Sequence, residues 1–118
     1  MLRLMAKAKI QNAQVTDTEL YYEGSIGLDS EIMTTADLLP DEWVVVVNCN
    51  NGARFETYLI PEPAGSGKIC LYGPAARLAA VGDVVHVLSY CLKDEAEARA
   101  NQIRVVLLGA DNRIEAHR

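Results

Sequence analysis

Residues 43–47 read Trp-Val-Val-Val-Val, and an Asn51-Gly52 pair follows shortly after. Consecutive β-branched and aromatic side chains lose χ1 freedom in a helix but stand well on a pleated strand. An unbroken apolar run, rather than an alternating one, marks a strand covered on both faces. Asn-Gly readily takes the positive φ angles that a tight hairpin turn needs. Residues 53–60 are therefore expected to return antiparallel to 43–47, which commits the chain to a sheet with a buried middle.

Strand signals recur on both sides of this hairpin. Leu2, Leu4, Ala6, Ala8 and Ile10 alternate with Arg3, Lys7 and Lys9, broken at Met5. Residues 13–15 extend that strand, and 25–28, 69–72, 84–90 and 103–108 read as further strands. Helical spacing covers 30–39, with Asp29 or Ser30 as cap and Pro40 past the end; 75–80, entered through Pro74; and 94–100. Residues 61–67 form a loop by composition, Gly82-Asp83 a turn, and 113–118 a frayed end. The expectation is a mainly β fold of six or seven short strands with two or three short helices. A small closed barrel suits this count because closure removes exposed edges; an open sandwich is the alternative. With 118 residues, no repeat and no linker, 1–118 is one domain.

Composition narrows the partners. The net charge is −5 and the basic residues are scattered, which argues against nucleic acid. No run spans a bilayer and no signal-peptide core precedes residue 7, so no membrane partner and a cytoplasmic location are expected. Cys49, Cys70 and Cys91 are widely spaced and make no metal-ligand pattern with His86 and His117. Reduced, mostly buried thiols and no metal are expected. His86, inside Val84-Val85-His86-Val87-Leu88, reads as a packed or half-exposed strand residue.

The remaining signal lies in Tyr22-Glu23-Gly24-Ser25-Ile26. Alone, Gly24-Ser25 reads as a turn. A serine hydroxyl can also attack the preceding carbonyl, and glycine there removes bulk and permits unusual backbone angles. Taken with Lys9, Asn51-Gly52-Ala53-Arg54-Phe55-Glu56-Thr57-Tyr58, Gly73 and Val81-Gly82-Asp83-Val84-Val85, this run resembles the pyruvoyl-dependent aspartate 1-decarboxylases. The likeness extends over roughly residues 5–112.

The resemblance implies a double-psi β-barrel that cuts itself at Gly24-Ser25 into 1–24 and 25–118. Ser25 then becomes a covalently bound pyruvoyl group, which forms a Schiff base with the substrate; neither metal nor pyridoxal phosphate takes part. It implies L-aspartate as substrate, β-alanine and carbon dioxide as products in pantothenate synthesis, and a homotetramer with sites between subunits. Ser25 and Tyr58 carry catalysis, Tyr58 as proton donor. Thr57 assists self-cleavage at Gly24 and then contacts substrate; Lys9 and Arg54 bind its carboxylates. Gly73, Pro74 and Ala75 form the substrate loop, and Tyr22 supports the cleavage segment. Glutamate as substrate, or an uncut barrel that only binds a ligand, are the alternatives, and whether a helper protein assists maturation stays open.

Two stretches depart from the family's habit. Most members have asparagine where this chain has Tyr72, and alanine where it has Pro74, which lacks a backbone N–H. Many have histidine at the position of Gln11. These departures imply slow or incomplete self-cleavage and leave the fold intact.

Overall fold

The computed structural model describes all 118 residues. Nine strands form: β1 (Arg3–Gln14), β2 (Asp17–Glu19), β3 (Ser25–Asp29), β4 (Trp43–Asn48), β5 (Arg54–Glu62), β6 (Ile69–Tyr72), β7 (Val84–Lys93), β8 (Arg104–Leu108) and β9 (Ile114–His117). They pair in the order β2-β6-β3-β5-β4-β7-β1-β8-β9. β1 with β8, β2 with β6 and β3 with β5 are parallel; the other pairs are antiparallel. The fold is mainly β, as expected.

The strand count exceeds the expected six or seven because β2 is three polar residues with no alternation, and β9, Ile114-Glu115-Ala116-His117, alternates over only four residues, too short a pattern to stand out. β2 is exposed throughout, and its backbone pairing with β6 makes it a strand. Residues 113–118 do not fray: β9 pairs antiparallel with β8, and backbone bonds join Arg118 and Val105 in both directions.

The hairpin of β4 and β5 forms as read, with Val47 opposite Arg54 and Gly52 at φ +76°. Val44, Val45 and Val46 are buried. Val44 and Val46 join Ile10, Ile26, Leu59 and Val87 in one 21-residue apolar core. Val45 turns to the opposite face, as strand alternation requires. On that outer face also lie Lys9, Arg54, Glu56, Tyr58, His86 and Tyr90.

The helices are shorter than the pattern predicts. α1 (Ser30–Thr35) starts where the Asp29 carboxylate accepts the Glu31 N–H, and the chain leaves it at Ala36 and Asp37, the latter at φ +57°. Asp29 also accepts the N–H groups of Gly65 and Gly67, so one buried carboxylate ties the helix start to the 63–68 loop. Residues Gly73–Arg77 form a 3₁₀ turn with Pro74 near its start. α2 (Glu95–Arg99) has a reciprocal capping box between Asp94 and Glu97. No helix is long and apolar enough to cross a membrane.

Candidate active site

The sheet brings Ser25 between two strands. It opens β3 and pairs with Tyr72 on β6, while the next residue, Ile26, pairs with Leu59 on β5. Thr57 and Tyr58 therefore approach Ser25 from one side and Tyr72 from the other. Ser25 is buried, and its Oγ donates to the Glu23 carbonyl at 3.1 Å.

The substrate-loop candidate Gly73 lies directly on this segment. Its φ is +68°, and a Cβ there would sit 2.8 Å from the Cα and N of Gly24 and from the Tyr22 carbonyl oxygen. Conformation and space both demand glycine. Gly24 itself has ordinary room: a Cβ would meet the Pro74 Cδ at 3.5 Å, and its φ is not positive. Of these two glycines, only Gly73 takes a positive φ.

A cavity of about 400 Å³ opens beside the dipeptide, lined by Gly24, Thr57, Tyr58, Pro74 and Ala75. Five residues singled out from the sequence thus share one cavity. Trp43, Phe55 and Leu78 supply its apolar walls and were not foreseen. Trp43 was within reach of the hairpin signal, since the register that follows from Asn51-Gly52 sets it opposite Tyr58. Thr57 is buried at this cavity, but no hydrogen bond joins its hydroxyl to Gly24.

Lys9 and Arg54 stand apart. β4 and β7 separate the strand of Lys9 from that of Tyr58, about 14 Å at ordinary strand spacing. Arg54 shares a face with Tyr58 on β5 but lies four residues away, about 13 Å along the strand. Neither cation is in an ion pair; the Arg54 Nη2 donates to the Tyr90 hydroxyl at 3.4 Å. Burial, and then the Lys9 charge, push the His86 imidazole below its ordinary pKa. Its Nδ1 accepts the Asn12 N–H at 3.1 Å, and its Nε2 lies 3.2 Å from the Cys49 Sγ. His86 is thus a tethered, half-buried strand residue, as expected.

Tyr22 is exposed, with its ring 4.8 Å from that of Tyr72 at a 43° tilt. The Tyr72 hydroxyl donates to Glu62 Oε1 at 2.5 Å. Burial, and then the Glu62 hydrogen bond, hold the Tyr72 phenol well above its ordinary pKa. All three cysteines are free, but the expectation of mostly buried thiols fails. Cys70 alone is buried; Cys91 is half-exposed, and Cys49 is exposed because it sits in the β4–β5 turn. A second cavity, of about 500 Å³, lies by Asp29, whose carboxylate already accepts three backbone N–H groups.

Among known proteins, the aspartate decarboxylase family model matches residues 1–115. The aspartate 1-decarboxylase of Moorella thermoacetica is 53% identical over 116 residues, covering 98% of this chain and 91% of that protein. The aspartate 1-decarboxylase of Syntrophobacter fumaroxidans is 52% identical over 113 residues, 96% of this chain and 91% of its own. That of Staphylococcus aureus is 50% identical over 112 residues, 95% and 88% respectively.

Proposed function

We infer the workings of the site from one premise: the chain belongs to the aspartate decarboxylase family. It is a carboxy-lyase that converts L-aspartate to β-alanine and carbon dioxide in pantothenate biosynthesis.

Ser25 is the source of a pyruvoyl group. The Ser25 Oγ adds to the Gly24 carbonyl carbon, the peptide C–N bond breaks, and an ester joins the two residues. Loss of the Ser25 Cα proton then breaks the Cβ–O bond. Residues 1–24 leave as a carboxylate, and water converts the dehydroalanine to a ketone with release of ammonia. The observation that carries this reading is the setting of the dipeptide. A buried serine follows a glycine held under the Gly73 backbone, at the rim of a cavity with Thr57 and Tyr58.

The residues present fit such a group. Gly24, Thr57, Tyr58, Pro74 and Ala75 line the cavity together, with Glu56 also on its wall. Once formed, a pyruvoyl ketone supplies an attachment point for the substrate amine and an electron sink when carbon dioxide departs. The Thr57 hydroxyl, unbonded to Gly24 in the resting chain, would turn to donate to the Gly24 carbonyl during cleavage. The Tyr58 phenol delivers a proton to the carbon that has lost its carboxylate. Trp43 and Phe55 supply apolar wall beside it. Arg54 takes a substrate carboxylate in bidentate fashion and Lys9 supplies a second positive charge.

Lys9 and Tyr58 lie too far apart in one chain to hold one small substrate. That separation supports sites shared between subunits, as in the homotetramer that the family resemblance implies. Leu4 and Leu92, an exposed cross-strand pair, and exposed Trp43 offer apolar surface for such contacts. A cytoplasmic enzyme is part of the same reading.

Intact mass of the expressed chain tests it. Two pieces meeting at Gly24–Ser25, together with β-alanine formation, are expected. Ser25→Ala should stay whole and make none. Cleavage of that variant at the same bond would reject the Ser25 Oγ as nucleophile.

A further inference from the structure

We propose that Glu62 is a positioning residue for the Gly24–Ser25 bond, acting through Tyr72 and Tyr22. The inference rests on the self-cleavage reading and adds a residue to it. Glu62 lies near the end of β5, with its carboxylate nearly buried and Oε2 3.5 Å from the Lys68 ammonium. It reaches across β3 to the far neighbour, β6. The passage exists because residue 27 is glycine: a Cβ there would lie 2.4 Å from Glu62 Oε1. Gly27 needs no positive φ, so space alone explains it.

On the far side the carboxylate accepts the Tyr72 hydroxyl at 2.5 Å, in the range of a charge-assisted bond. Tyr72 is buried and pairs directly with Ser25. Its ring meets that of Tyr22. The chain Glu62–Tyr72–Tyr22 therefore touches the backbone after the bond at Gly27, opposite it at Ser25 and before it at Tyr22. A tyrosine at 72 without a partner would swing and leave the 20–24 segment loose. Glu62 fixes its rotamer, and Tyr22, its ring tilted against that of Tyr72, then holds Gly24 under Gly73. The bulk that implies slow maturation in the sequence has a dedicated partner in the fold.

Cell-free translation of the full chain, sampled by intact mass from the first minute, reads the cleavage half-time directly. Glu62→Ala and Tyr72→Phe should each lengthen it about tenfold, the effect of losing one hydrogen bond to a charged acceptor. Tyr72→Phe keeps the ring against Tyr22 and so tests the hydroxyl alone. Glu62→Gln, whose amide oxygen still accepts, should recover most of the rate. The Glu62→Ala/Tyr72→Phe double variant should be no slower than the slower single, because both remove one contact. The proposal fails if Tyr72→Phe cleaves at the wild-type rate, if Glu62→Gln is no faster than Glu62→Ala, or if the double slows by the product of the singles. A Glu62→Ala chain that does not fold leaves Tyr72→Phe to decide. A wild-type chain that never cuts overturns the self-cleavage reading itself; a cut wild type with equally fast variants overturns only the role of Glu62.

Discussion

The Gly73 backbone lies against Gly24 so closely that a single methyl on Gly73 would stand 2.8 Å from the Gly24 Cα and N. Gly73→Ala therefore has two faults, an overlap with backbone and a side chain at φ +68°. Cleavage should slow by at least tenfold, read as the fraction of whole chain by intact mass over time. Cleavage at the wild-type rate would mean that the Gly24 segment has slack.

Arg54→Ala should mature normally and lose most of its turnover of aspartate, since it is remote from Ser25 and removes a bidentate carboxylate partner. Steady-state kinetics on fully cleaved protein decide this. Unchanged kcat/KM would remove Arg54 from the substrate site.

Tyr58→Phe preserves the cavity wall and deletes the phenol. Cleavage should proceed, and β-alanine formation should fall by about 10²–10⁴-fold, the usual weight of a general acid. A wild-type rate in the cleaved variant would assign the proton to water or to another group.

Lys9→Ala and Tyr58→Phe, each nearly inactive alone, should regain activity when the two chains are expressed together. A mixed assembly contains some sites with an intact Lys9 from one copy and an intact Tyr58 from another. Activity no greater than the sum of the separate variants would confine the site to one chain.

Asp29→Ala should lower stability by about 2–4 kcal/mol, because three backbone N–H groups lose their acceptor at once. Chemical denaturation of the uncut Ser25→Ala background measures this without interference from cleavage. A change below about 0.5 kcal/mol would show that water replaces the carboxylate.

The fold was legible wherever periodicity or turn chemistry spoke. The Trp43–Val47 run and Asn51-Gly52 yielded a real hairpin, and Asp29 was found as a helix cap. β2 escaped because its pairing is a property of backbone hydrogen bonds with the distant β6, which no side-chain pattern announces, and β9 because a four-residue alternation at the end of the chain is too short to separate from fraying. Helix α1 ended early because Asp37 turns to positive φ, against an apolar spacing that runs on to Leu39. At the site, the family resemblance picked out Gly24, Thr57, Tyr58, Pro74 and Ala75, and these line one cavity; taken alone, Gly24-Ser25 read as a turn. Glu62 had no signal at all. Its contact with Tyr72 depends on register across three strands and on an empty space at Gly27, and neither can be read from one residue.

β1 lies between β7 and β8, and β2 lies along β6, so residues 1–24 contribute a strand to the middle of the sheet and another to its end. A chain cut after Gly24 would therefore be a complex of two peptides held by a shared core. Its refolding from denaturant would become bimolecular, and its melting temperature would rise with protein concentration, as it does for any dissociable pair. The uncut chain, in which one molecule carries both pieces, refolds each protomer at a rate independent of dilution. A cut protein that has once been denatured and diluted would reassemble slowly, so the position of β1 favours a chain that folds before any cut is made.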